Sequence, residues 1–188
     1  MDEPLPQPEH VLAATRDWLE KAVIGLNLCP FAKAVHTKGQ VRWVVSDATA
    51  PDHLLVELEA ELQHLAATEP ETTDTTLLIH PGVLQDFLDF NDFLGAADAL
   101  LERLGLDGTL QIASFHPGFQ FAGTQPDDIS NCTNRTPYPT LHLLREASID
   151  RAVEAFPDAE AIYERNIETL QTLGRAGWAA LFERPRKA

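Results

Sequence analysis

Thr75–Gly82 reads TTLLIHPG, and Leu110–Gly118 reads LQIASFHPG. Each is a short apolar run closed by His-Pro-Gly. Proline lacks the N–H that a ladder needs and glycine tolerates a sharp reversal, so each run predicts a strand that stops at His80 or His116. Between the two, Leu84, Phe87, Leu94, Ala97, Leu101 and Leu104 recur at helical spacing, with Gly105 placed to cap the helix. Upstream, Val41–Ser46 (VRWVVS) is a third strand-like run. Pro51 and Asp52 then open a helix carrying Leu54, Leu55, Leu58, Leu62 and Leu65 on one face. The middle of the chain therefore reads β-α-β-α-β. Right-handed crossovers between such strands predict an α/β fold with a small, mostly parallel sheet of three to four strands, flanked by N-terminal and C-terminal helices.

Outward from this core the signals change. Residues 1–8 are acidic and Pro-rich and are expected to form a loose arm, leaving 9–188 as one α/β domain. Val11, Leu12, Trp18, Leu19, Ala22, Val23 and Leu26 predict a first helix ending between Leu26 and Cys29, with Pro30 opening a second short helical piece. Phe119–Ala122 is a candidate fourth strand. Residues 123–139 are polar throughout, a long loop of the kind that often carries function. Helix is expected again from Thr140, with Ser148 as a cap for another helix and Ala159–Leu173 as a further one.

Composition narrows the function classes. The chain has 188 residues, is 44% hydrophobic and carries a formal charge of −15, enough apolar content for a core without disulfide staples. The acidic balance argues against nucleic acid and anionic membrane surfaces as partners, because both need clustered Lys and Arg. No apolar run approaches the roughly 18 residues of a membrane span, and the N-terminus lacks the pattern of a signal peptide. With only Cys29 and Cys132, a reducing, cytoplasmic setting is expected. The oligomeric state is open.

Four constellations could carry chemistry. If the strands ending at His80 and His116 run parallel, both imidazoles lie at the carboxyl edge of the sheet, where α/β folds bind ligands. As neighbours their backbones would be ~4.8 Å apart. They would then serve acid–base catalysis or hold a divalent metal such as zinc or iron; equally, each His would merely cap its turn. The second constellation is Asp127–Pro139. Asp127 and Asp128 are candidate catalytic carboxylates, and Arg135 is a candidate clamp for a substrate anion. Asn131 and Asn134 are candidate substrate ligands, or side chains that tie the loop to itself. Third, on a helix His142 would share a face with Glu146 and neighbour Arg145; His142 and Arg145 are counted as substrate-binding candidates. Fourth, Cys29 precedes Pro30 at an expected helix start, where a thiol gains reactivity, although a buried inert cysteine is the competing reading.

The phrases LNLCPFAKAV, LLIHP, DFNDFL, ASFHPGFQFAGT, DDISN and TNRTPYPTLHLLREASIDRAV, in this order from Arg16 to Gly174, resemble the bacterial domain-of-unknown-function family 1415. The resemblance implies an intact bacterial α/β protein and no particular activity. The residues themselves lead to three expectations: an enzyme acting on a small polar or anionic substrate, by metal-assisted hydrolysis or His acid–base chemistry; a non-catalytic binding or scaffold module; or a thiol-redox protein using Cys29.

Overall fold

β2 (Thr75–Ile79) is buried along its whole length and is the strand around which the sheet is assembled. It pairs in parallel with β1 (Val41–Val45). On its other side it pairs antiparallel with β4 (Thr140–Arg145), which in turn pairs antiparallel with β3 (Leu110–Phe115). The order β1-β2-β4-β3 makes a four-stranded mixed sheet. The fold is α/β as expected, but only one of its three pairings is parallel. Residues 5–155 and 160–183 are described in this computed structural model. Of the expected N-terminal arm, residues 1–4 lie outside the described residues, and Leu5 packs over Gly82, where a Cβ would also strike the Ala48 carbonyl oxygen.

Helices α3 (Pro51–Ala67) and α4 (Phe87–Arg103) cover one face of the sheet. Leu54, Leu58, Leu62 and Leu65 of α3 meet Phe90, Ala97 and Leu100 of α4 over Leu78, Leu141 and Leu143 of the strands. Pro51 starts α3 where its missing N–H costs nothing. Asp86 starts α4 by accepting from the Leu88 and Asp89 amides at 2.8 and 3.2 Å. Gly105, at φ 68°, follows the end of α4 as its sequence position suggests. The opposite face takes α1 (Pro8–Trp18), which continues as a π-helical stretch, Leu19–Ile24. Val11 packs there on Leu77 and Ile79, and Trp18 sets its ring edge-on to Phe115 with centroids 5.3 Å apart. Burial on both faces explains why Leu77, Leu78 and Ile79 follow one another in β2 without polar alternation.

The remaining helices are α2 (Ala32–Thr37), α5 (Glu146–Ala155) and α6 (Glu160–Phe182). Among the described residues, no helix is long and apolar enough to cross a membrane.

Three expectations need correction. The fourth strand is Thr140–Arg145, read from sequence as the start of a helix, while Phe119–Ala122 is irregular. Thr140–Glu146 is rich in helix formers, but Leu141 and Leu143 alternate with His142 and Leu144, and the slot between β2 and β3 selects that period. As a result β2 and β3 run in the same direction but are not neighbours. Ser148, expected as a helix cap, lies inside α5 and donates instead to Asp74 Oδ1 at 2.6 Å.

Arg145 shows what the strand assignment changes. It sits at the edge of the sheet where β3 begins, opposite Leu110 and remote from His80 and His116. Its Nη2 donates to the carbonyls of Leu65, Thr68 and Thr73 at 2.8, 2.5 and 2.9 Å, closing the C-terminus of α3. It thus caps α3. Arg145→Met should lower the unfolding free energy by about 2 kcal/mol, because it strands carbonyls that a cation now satisfies. Urea denaturation measures this, and an unchanged midpoint would contradict it.

Candidate functional site

His80 and His116 do reach the same edge and the same face of the sheet, one strand apart. Phe90 lies between them: its ring is stacked on His80 at a centroid distance of 5.6 Å and on His116 at 5.0 Å. The hydrogen bonds define the tautomer of His116. The Gly118 N–H donates to its Nδ1 at 2.9 Å, so Nε2 carries the proton and donates to the Leu84 carbonyl at 3.1 Å. His80 Nδ1 donates to the Val83 carbonyl at 3.1 Å, and its Nε2 is buried with no partner. Both rings therefore hold the turn between β2 and α4, in which Leu84 takes φ 57°. Burial lowers the His80 pKa to about 4, and burial also lowers that of His116. Both imidazoles are neutral at pH 7. Among the described residues, no three His, Cys, Asp or Glu side chains are grouped so as to hold a metal ion.

His142 faces away from this pair. Its neighbours Leu141 and Leu143 point to α3 and α4, so alternation sends His142 to the other face, 6.0 Å from the Phe115 ring. Its Nε2 meets Thr75 Oγ1 at 2.7 Å, and Thr75 spends its own proton on the Leu143 carbonyl at 2.6 Å. His142 must then donate through Nε2. Desolvation lowers its pKa to about 4. The helical pairing of His142 with Glu146 does not exist.

The polar 123–139 stretch separates into scaffold and wall. Asn131 is scaffold: it is fully buried, its Oδ1 accepts from the Phe121 amide and the Thr124 hydroxyl at 2.9 Å each, and its Nδ2 donates to Gln125 O at 2.9 Å. Asn134 donates to Ser114 O at 3.3 Å and its carbonyl accepts from the His116 amide at 3.1 Å, tying the loop to the end of β3. Asp128 caps the 3-10 helix Ile129–Asn134 through the Ser130 amide at 2.9 Å, which holds its carboxyl below the usual range.

Beside that helix opens a cleft of about 600 Å³. One wall is Pro126, Asp127, Asp128, Ile129, Cys132, Arg135, Thr136 and Pro137, with Pro117 from the second His-Pro-Gly turn and Trp18 from α1. The other wall is Arg175, Trp178 and Phe182 from the end of α6. Gly174 makes this second wall. At φ 66° and ψ 175° it breaks α6 in a conformation open essentially only to glycine, and so turns residues 175–182 onto the loop. Trp178 packs among the apolar residues around both Trp18 and Cys132, and its ring meets Phe182 edge-on at 5.5 Å. Arg135 is tied down, with Nε on Phe119 O at 2.9 Å and Nη2 on Pro126 O at 2.7 Å. Arg175 pairs with Asp127 Oδ2 at 3.0 Å and also donates to the Asp127 carbonyl. Cys132 is buried, and desolvation raises its thiol pKa against the opposing pull of Arg135. The Trp18 Nε1–H is buried without an acceptor.

The structure thus brings Asp127, Asp128 and Arg135 together at one cleft and leaves His80, His116, His142 and Arg145 out of it. Trp18, Arg175, Trp178 and Phe182 were not candidates from the sequence. Trp18 and Trp178 are two of only three tryptophans in the chain, yet no local spacing links them. Cys29 is a free, half-buried thiol packed near Trp18, Ala22 and Val23. The helix after it begins at Ala32, not Pro30, and has six residues, so the expected helix-start position of the thiol is lost.

The family model described as Protein of unknown function (DUF1415) matches residues 10–180. The chain belongs to the DUF1415 family. No curated protein and no solved structure matches it. In this DUF1415 chain the matched span runs from α1 through Gly174 to Trp178, and so includes both walls of the cleft up to the last turn of α6.

Proposed function

We propose that this protein binds a small amphipathic molecule in the cleft between the 3-10 helix and the end of α6, its apolar body against Trp18, Trp178 and Phe182 and its polar end toward the arginines. The observation that carries this is the lining: three aromatic rings and three prolines together with two guanidiniums and two carboxylates in a cleft of about 600 Å³, within the range of small-molecule sites. The hydrolytic reading through His80 and His116 has less support. Their donors are spent on the Val83 and Leu84 carbonyls, and the Gly118 amide occupies His116 Nδ1.

Anilinonaphthalene sulfonate, an aromatic anion, is a suitable probe. Its fluorescence should rise with saturable, roughly one-to-one binding at pH 7, and Trp178→Ala should weaken it about tenfold, the loss of one aromatic contact. Phe182→Ala, at a more exposed site, should weaken it less without perturbing the fold. Binding unchanged in both variants would remove the cleft from consideration.

A further inference from the structure

The two cleft arginines differ in what holds them. Arg135 has two of its donors fixed on backbone carbonyls of its own loop and is part of the wall. Arg175 holds the Asp127 carboxylate at 3.0 Å in solvent, with side chains 64% and 76% exposed. An ion pair that open to water is weak and exchanges readily. Asp127 is also the carboxylate that any incoming anion would have to replace, since both partners of the pair line the cleft.

From this, and resting on the cleft reading above, we infer that Arg175 is the anion-binding residue of the site and that Asp127 is a built-in competitor: the ligand carries a carboxylate, sulfonate or phosphate that takes the place of the Asp127 side chain on Arg175. Gly174 supports the assignment because its backbone turn is what delivers Arg175 to the loop. The second Arg175 contact, to the Asp127 main-chain carbonyl, keeps the guanidinium in place when the carboxylate leaves. Asp127 is then a gate for anions, not the catalytic carboxylate expected from sequence. The ligand class is narrowed to aromatic or apolar anions, with selectivity over neutral molecules of the same shape.

The test compares anilinonaphthalene sulfonate with phenylnaphthylamine, which has the same rings and no charge, on the full-length protein. Asp127→Asn should tighten sulfonate binding about two- to fivefold, the strength of an exposed pair, and leave the neutral probe unchanged. Arg175→Gln should weaken the sulfonate and leave the neutral probe unchanged, abolishing the preference between them. If both probes bind but Asp127→Asn equals wild type, the exchange at Arg175 is wrong while the cleft reading survives. If neither probe binds, both are wrong. Should Arg175→Gln prove unstable by urea denaturation, Asp127→Asn decides the matter alone, because removing that exposed carboxylate leaves the Arg175 contact to the main chain.

Discussion

Phe90→Ala should lower the unfolding free energy by about 3–5 kcal/mol, the largest single effect expected in this molecule. Phe90 is fully buried in the main core and is the ring on which both His80 and His116 are stacked. Truncation loses the transfer energy of the ring and leaves a cavity between two imidazoles that are themselves anchored to the turn ahead of α4. The loss should therefore spread to the β2–α4 turn, where amide exchange at Val83, Leu84 and Gln85 should accelerate. Phe90→Leu keeps most of the volume and should cost less than half as much. A loss under about 1 kcal/mol in Phe90→Ala, measured by urea denaturation at pH 7, would show that the imidazole stack does not depend on it.

The second large effect is acid sensitivity. His80 is fully buried, and its folded pKa is about 4 against 6.5 for an unperturbed imidazole. Between those values the unfolded chain binds a proton that the native state refuses, so stability is complete above pH 6.5 and falls as the pH drops toward 4. One such histidine accounts for about 3 kcal/mol over that window. His142, also lowered to about 4, and His116, lowered by burial, act in the same direction. Glu57 opposes them: burial raises its carboxyl pKa, so its contribution is lost as the pH rises through that value and recovered as it falls. Stability measured from pH 7 to 4 should decline steeply. His80→Asn, whose amide can replace the Nδ1 donor to Val83, should flatten the slope by roughly the share of one histidine. An unaltered slope in that variant would mean that His80 is not the titrating group.

Both predictions centre on the two histidines first noticed as possible catalysts, the first through the ring on which they stack. His-Pro-Gly was legible as a strand terminator, and the shared direction of β2 and β3 was legible from the βα alternation. What those histidines do was not, because a turn-closing imidazole and a catalytic one occupy the same place in a sequence. Only the nitrogens' partners separate them, and here these are the Val83 and Leu84 carbonyls and the Gly118 amide. The 127–139 stretch was recognisable as special from its length and polarity. Its division into scaffold (Asn131, Asn134) and wall (Asp127, Asp128, Arg135) depends on which side chains the backbone turns inward.

Local chemistry by itself determined the α/β class, β1 to β3 and the two covering helices, with Pro51 opening α3 and Gly105 closing α4, since these follow from apolar period and from Pro and Gly placed at element ends. Tertiary structure decided three things. It made Thr140–Arg145 a strand, because a gap between β2 and β3 stabilises an alternating segment more than helix propensity favours the other outcome. It turned Arg145 from a ligand candidate into the cap of α3. And it built the cleft by bringing Trp18 from the start of the chain against Arg175 and Trp178 near its end. No local pattern encodes that last meeting: it results from α6 burying its apolar residues against the π-helical stretch that follows α1 and against the 3-10 helix of the polar loop.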